Sequence, residues 1–139
     1  MDSSTSDYQQ ERSSKLIHVW LWLTQILLAF AFAMAGGFKT FTPEADLVAQ
    51  GMTMPIVALR VAGVAELLGA VGLILPSVSR ILPRLTPLAA ALLALVMVLA
   101  VIAHLIQGEV TSTLAPVVLG SMCAFVAWGR SKRVPIEPR

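Results

Sequence analysis

The stretch PIVALRVAGVAELLGAVGLILP, residues 55–76, decides the fold of this chain. It is apolar throughout except for Arg60 and Glu66, and a helix of about 20 residues crosses the hydrocarbon core of a bilayer. At this length, only a helix satisfies every backbone hydrogen bond within lipid. The stretch therefore predicts a membrane-spanning helix that carries a cation and a carboxyl group at membrane depth.

Three similar apolar stretches accompany it, and only 13% of the residues are charged, against roughly 25% in soluble domains. We therefore expect an all-α fold, a single bundle of four transmembrane helices over residues 15–129. A flexible N-terminal tail is expected because the first residues have little apolar surface to bury. The predicted segments are a polar tail at 1–14, spans at about 16–38, 55–75, 85–106 and 112–128, and a basic tail at 130–139.

The basic residues predict the orientation of the bundle. Most of them fall on one side of a four-span arrangement, namely Arg12, Lys15, Arg80, Arg84, Arg130, Lys132, Arg133 and Arg139. The positive-inside rule then places both termini and the loop at 76–84 in the cytoplasm. Because these residues sit in short segments beside the spans, the lipid bilayer is the expected partner and nucleic acid is not.

Ionisable groups at membrane depth mark a functional site by default. Glu66 lies near the middle of the second span, and His104 lies late in the third. Helical side chains lean toward the N-terminus of their own helix. The second and third spans run in opposite directions, so the side chains of Glu66 and His104 lean toward a common level in the membrane. We take Glu66 and His104 as candidate catalytic groups for proton transfer. The candidate ligand-binding residues are Lys39, Arg60, Gly63 and Glu109.

Small residues flank Glu66, and at Gly63 either a neighbouring helix or a flat ligand could approach closely. Arg60 and Glu66 are six residues apart, about 120° around the helix and ~9 Å along it, so they are not an intrahelical pair. Cys123 is the single cysteine. The sequence has no pattern typical of a metal site or of a dinucleotide or phosphate loop, so no metal is expected and cofactor-binding residues stay unassigned.

These residues together resemble the DoxX-like family of small four-helix membrane proteins. The resemblance lies in Ala35-Gly-Gly-Phe-Lys39 at the end of the first span, in the second-span string from Arg60 to Pro76, and in His104. It covers roughly residues 16–128 and implies a multi-pass protein of the bacterial inner membrane. Members of the family are linked to thiosulfate:quinone oxidoreductase and to membrane oxidoreductase complexes that handle thiol or oxidative stress.

The resemblance implies a first hypothesis for function. The chain would be a subunit of a membrane oxidoreductase system that binds a quinone non-covalently, or another amphipathic small molecule, in an outer-half pocket. Glu66 or His104 would move protons, and Arg60 would hold a quinone oxygen or act on Glu66 by its charge. An oxidoreductase protein or a second copy of the chain is the expected protein partner. With one cysteine, direct thiol chemistry in this subunit is not expected.

The alternative is a non-enzymatic scaffold or partner-docking bundle, in which Arg60 and Glu66 form a buried ion pair that fixes helix packing. The sequence leaves open whether the chain is an enzyme. A third hypothesis, a transporter, needs a polar path through the inner half as well. Apart from Gln25, the sequence predicts an apolar inner half, which disfavours transport.

Overall fold

The computed structural model describes residues 3–139, and this part of the chain is all-helical. Four of its helical segments are long and apolar enough to cross a membrane, which confirms the predicted multi-pass bundle. A 3-10 turn over Val110–Thr113 leads into the last span, and a π-helical turn over Gly129–Arg133 follows it. The helices are α1 (Ser3–Phe41), α2 (Glu44–Ala49), α3 (Ile56–Ser79), α4 (Leu85–Ile106) and α5 (Leu114–Trp128).

The spans pack mainly as two pairs, α1 with α3 and α4 with α5, and α3 joins the pairs by packing on α4. The core between them is apolar and includes Leu28, Phe32, Leu73 and Leu93, all nearly inaccessible. Large apolar side chains also cover the outer faces of the spans. Exposed apolar surface of this extent is unfavourable in water but suits contact with lipid, because lipid tails solvate it.

Helix α1 begins earlier than the sequence predicts. Residues from Ser3 onward continue the helix, so the segment expected to be an irregular tail is helical where the structure describes it. The span supplies the costly nucleus of the helix, and the added residues include good helix formers such as Gln9 and Gln10. An ion pair between Glu11 and Lys15, at 2.6 Å and one turn apart, adds to this extension.

The C-terminal segment packs at the same end of the bundle as the α3–α4 connection. The Nε of Arg80 donates to the carbonyl of Glu137 at 2.9 Å, and the backbone N–H of Arg139 donates to the carbonyl of Arg80 at 3.2 Å. The π-helical turn also contacts α1. We call this end of the bundle the basic end, and the opposite end, where α2 lies, the α2 end.

Candidate functional site

A buried ion pair near the α2 end joins Lys39, in the last turn of α1, to Glu66 in α3. The Nζ of Lys39 lies 2.6 Å from Oε1 of Glu66, whose side chain is 2% exposed, against 24% for Lys39. A buried carboxylate is costly unless it is paired, and Lys39 supplies the pairing charge. The second oxygen, Oε2, is buried and has no hydrogen-bond partner in residues 3–139. One acceptor of the carboxylate is therefore unused.

Two glycines bring α1 and α3 together beside this pair. A Cβ on Gly63 would lie 2.5 Å from Oγ1 of Thr40 and 2.9 Å from the carbonyl oxygen of Gly36. A Cβ on Gly36 would lie 2.7 Å from the carbonyl oxygen of Gly63. Of the two occupants expected beside Gly63, the structure therefore shows the neighbouring helix. Gly63 sets the helix spacing that lets Lys39 reach Glu66.

Arg60 does not pair with Glu66, so the predicted Arg60–Glu66 ion pair is wrong. Its Nη1 donates instead to the backbone carbonyls of Lys39 at 2.6 Å and Thr40 at 2.7 Å. The last carbonyls of a helix have no partner within the helix, and a basic side chain often satisfies them. Arg60 thereby fixes the end of α1 and holds the backbone that carries Lys39.

His104 also has a different partner from the one expected. Its Nδ1 lies 2.9 Å from Oε2 of Glu109, and the backbone N–H of Glu109 donates to the carbonyl of His104 at 2.9 Å. The tight turn after α4 brings the two together, so the predicted meeting of His104 with Glu66 is wrong. Within residues 3–139, no hydrogen bond or ion pair joins this second pair to the Lys39–Glu66 pair.

An open apolar groove of about 580 Å³ lies between α3 and α4 toward the α2 end. We call it the α3–α4 groove. Lys39 is the one predicted site residue among those that line it, and it is also the one charged residue there. The other lining residues are Met54, Pro55, Val57, Ala58, Leu59, Val61, Ala62, Ala65, Val96, Leu99 and Ala100. The groove can accept an apolar ring or chain while the Lys39 ammonium contacts a polar atom.

The sequence region that contains this site matches a known family. A sequence model of the DoxX-like family matches residues 23–126, well over half of the chain. The chain belongs to the DoxX-like family. Comparisons with curated proteins and with solved structures gave no significant match. The matched region of this DoxX-like protein contains Lys39, Arg60, Glu66, His104 and Glu109.

The DoxX-like bundle has a second polar cluster, at its basic end, that the sequence did not predict. Arg130 is 3% exposed, and its Nε donates to Oε1 of Gln25 at 2.6 Å. The Nε2 of Gln25 donates to the carbonyl of Leu73 at 2.7 Å and to Oγ of Ser77 at 3.1 Å. The Ser77 hydroxyl lies 2.8 Å from that of Thr86. These bonds tie α1, α3, α4 and the π-helical turn together.

Two α1 residues complete this cluster around Arg130. Its Nη1 lies 3.1 Å from Nδ1 of His18, and its guanidinium carbon lies 5.4 Å from the ring centre of Trp22. The indole N–H of Trp22 donates to Nε2 of His18 at 3.1 Å. The prediction that this half of the bundle is apolar apart from Gln25 is therefore wrong. We call the group formed by His18, Trp22, Gln25, Ser77, Thr86 and Arg130 the Arg130 cluster.

One signal in the sequence could have indicated the Arg130 cluster. No proline or polar turn separates Trp128 from Arg130, so the last helix could continue past the tryptophan. Gly129 also permits close packing there, because a Cβ on it would lie 2.5 Å from Cδ2 of Leu21. The charge of Arg130 predicts a place in the cytoplasmic tail, whereas the continued helix directs its side chain into the bundle.

Proposed function

We propose that this DoxX-like protein is a membrane subunit of an oxidoreductase system that binds a prenyl quinone, or a similar amphiphile with a carbonyl oxygen, in the α3–α4 groove. The observation that carries the proposal is the Lys39 ammonium, placed at the edge of an apolar groove and backed by the buried carboxylate of Glu66. The quinone's ring oxygen would accept a hydrogen bond from Lys39, and its prenyl chain would lie along the apolar part.

The size and lining of the groove support this ligand class. Small-molecule sites typically have volumes of about 300–1,000 Å³ and apolar walls with a few placed polar groups, and this groove of about 580 Å³ falls in that range. Three of its wall residues, Val57, Val61 and Leu99, are exposed on the lipid-facing surface. An amphiphile dissolved in the membrane could therefore enter sideways.

The charges of the pair support an uncharged ligand. The ammonium of Lys39 has three donors and uses one of them on Glu66. Its positive charge is already balanced by the carboxylate, so a neutral quinone fits better than an anion. Reduction of a quinone to a quinol takes two electrons and two protons. We assign the electrons to a partner protein. The two protons would come from water at the α2 end and pass one at a time through the Lys39–Glu66 pair, with Oε2 of Glu66 as the oxygen that takes up and releases each proton.

The remaining predicted residues take supporting roles in this proposal. Arg60 positions Lys39 through the end of α1. His104 and Glu109, which form a partly exposed pair after α4, would exchange protons with the aqueous side at the α2 end. We further propose the bacterial inner membrane as the location, with the basic end in the cytoplasm, because most Lys and Arg residues lie at that end.

A scaffold without chemistry is the second candidate function, and the close packing of Gly36 and Gly63 favours it. In that case the Lys39–Glu66 pair would fix helix register, and the groove would hold only lipid chains. The two functions differ in one measurable respect, which is whether a defined amphiphile stays with the purified protein.

The test is mass spectrometry of an organic extract of the protein purified in mild detergent. Ala100→Leu places a larger side chain in the groove, whereas Ala91→Leu makes the same change on an exposed face of α4. We expect a quinone in wild type and in Ala91→Leu, and its loss from Ala100→Leu. Equal retention by all three proteins would exclude the groove, and bulk phospholipid alone in every sample would favour the scaffold.

The proton role has its own test, quinone reduction by the membrane-bound system. Glu66→Gln should lower the rate by about 100-fold or more while the purified variant still retains quinone. Glu44→Gln, the same change at an exposed position on α2, should have no effect. Normal turnover by a folded Glu66→Gln variant would remove Glu66 from the mechanism.

A further inference from the structure

A second groove, at the basic end, has a different chemical character from the α3–α4 groove. It has a volume of about 500 Å³ and lies between the N-terminal part of α1 and the π-helical turn. We call it the α1–turn groove. Its α1 wall carries hydroxyl and amide groups, including those of Gln10 and Ser13, and its other wall is formed by Arg133 and Val134. The lining is rich in donors and has one cation.

No carboxylate is among the residues that line the α1–turn groove. The two acidic residues of this part of α1, Asp7 and Glu11, lie outside the lining, and Glu11 is already paired with Lys15 at 2.6 Å. Arg133 has no carboxylate partner within residues 3–139. The guanidinium of Arg133 therefore gives the groove an uncompensated positive charge.

The position of Arg133 is fixed by an aromatic side chain. Its guanidinium carbon lies 5.2 Å from the ring centre of Trp128, a cation–π contact. Such stacking leaves the N–H edge of the guanidinium free, and this planar fork matches the oxygens of a phosphate. Because Trp128 ends the apolar part of α5, the free edge lies at the depth where membranes place their headgroups.

A second groove continues from the α1–turn groove along α1 and ends at apolar side chains. This smaller groove of about 320 Å³ shares Gln9, Ser13 and Ile17 with it and is also lined by Arg12, Leu16 and Trp20. The two grooves together thus grade from a cationic, donor-rich part to an apolar part along one face of α1. A phospholipid has the same order of groups, a phosphate, a glycerol unit and an acyl chain.

We propose that the α1–turn groove is a binding site for an anionic phospholipid. Arg133 binds the phosphate, Gln10 and Ser13 bind the glycerol and headgroup oxygens, and one acyl chain lies along Leu16 and Trp20. The net positive charge selects an anionic headgroup over a zwitterionic one. This site is at the opposite end of the bundle from the quinone groove, and the proposal does not depend on that function.

The neighbouring cation Lys132 provides a matched control. It lies in the same π-helical turn and is exposed, as Arg133 is, but it does not line the groove. The experiment is native mass spectrometry of the protein titrated with phosphatidylglycerol or phosphatidylcholine in mixed micelles, for wild type, Arg133→Gln, Arg133→Lys and Lys132→Gln. Protection of Cys123, which is fully buried, from a thiol reagent shows that each variant is folded.

We expect wild type to retain one phosphatidylglycerol in preference to phosphatidylcholine. Arg133→Gln should weaken phosphatidylglycerol binding about fivefold, Lys132→Gln should weaken it less than twofold, and Arg133→Lys should lie between them. Equal losses in the two Gln variants would show a general surface potential and overturn the site. Equal retention of both lipids, or displacement of phosphatidylglycerol by glycerol phosphate at equal concentration, would overturn it as well.

Discussion

Removal of Lys39 should destabilise the bundle far more than alteration of Glu66, although the two form one ion pair. Lys39→Met leaves a carboxylate that is 2% exposed without its cation, and breaking a buried pair in this way costs about 3–5 kcal/mol. Glu66→Gln leaves an ammonium that is about one-quarter exposed and can still donate to an amide oxygen. That exchange should cost about 1 kcal/mol.

The double variant Lys39→Met/Glu66→Met separates pairing from packing. Replacing both members of a buried pair with apolar residues of similar volume is often close to neutral. We therefore expect the double variant to recover about 2 kcal/mol or more of the loss in Lys39→Met. Such non-additivity is the expected result for two groups in direct contact.

The free energy of unfolding can be measured through Cys123. This thiol is fully buried, so a thiol reagent should modify it only after the bundle opens. Modification measured as a function of sodium dodecyl sulfate concentration gives the unfolding transition of each variant. Lys15→Met is a matched control, because Lys15 and Glu11 also lie 2.6 Å apart but with side chains 74% and 61% exposed. Exposed pairs contribute little, so this variant should unfold as wild type does.

Three results would refute this reasoning. Equal destabilisation by Lys39→Met and Glu66→Gln would show that the burial difference between the two groups has no effect. Strict additivity in the double variant would show that the pair is not coupled. A loss in Lys15→Met as large as that in Lys39→Met would show that the lysine side chain itself, rather than its buried partner, determines stability.

Two further variants test the helix contacts. Gly36→Ala should destabilise the bundle by about 1–3 kcal/mol by overpacking, because the new Cβ would lie 2.7 Å from the carbonyl oxygen of Gly63. Gly37→Ala should be neutral or stabilising, because its Cβ would have nothing within 4 Å. Similar changes in stability for both variants would contradict the packing argument. At the basic end, Gln25→Leu removes the acceptor of a buried Arg130 N–H and should lower the free energy of unfolding by about 1–3 kcal/mol. The control Gln50→Leu, at an exposed position, should change it by less than about 0.5 kcal/mol. Both comparisons use the same Cys123 assay, and an equal loss in the two glutamine variants would rule out a structural role for the Arg130 cluster.

The four spans were predictable because span length and hydropathy are properties of each segment alone. The partner of Glu66 was not predictable from the sequence. The spacing of Arg60 and Glu66 excluded a pair within the helix, but the choice between Lys39 and His104 depends on how α1 and α4 rotate against α3. The rotation of α1 against α3 is fixed by the contact between Gly36 and Gly63, which joins distant parts of the sequence. The depth of each residue in the membrane therefore indicated which residues could pair with Glu66, while helix packing determined that Lys39 does.

Arg130 shows that the charge of a residue at the end of a span does not predict whether it is buried. A basic residue after the last tryptophan is typical of a cytoplasmic tail under the positive-inside rule, and the rule treats every such residue alike. The π-helical turn carries one of the three basic residues at 130–133 into the bundle and leaves two outside. Sequence alone gives no reason to choose among them, because the choice depends on the extra residue per turn that a π-helix adds.

The two polar clusters bear on the transport hypothesis, which an apolar basic half of the bundle would disfavour. That half contains the Arg130 cluster, so polarity alone no longer disfavours transport. The layer of side chains between the two clusters disfavours transport instead. Between Gln25 and the Lys39–Glu66 pair, the core of the bundle is filled by side chains with almost no exposed surface, including Leu28, Phe32, Leu73 and Leu93. Such a layer leaves no room for a chain of water molecules in the part of the protein that the structure describes. In the proposed mechanism, protons would therefore reach Glu66 from the α2 end, which is the direction in which His104 and Glu109 lie.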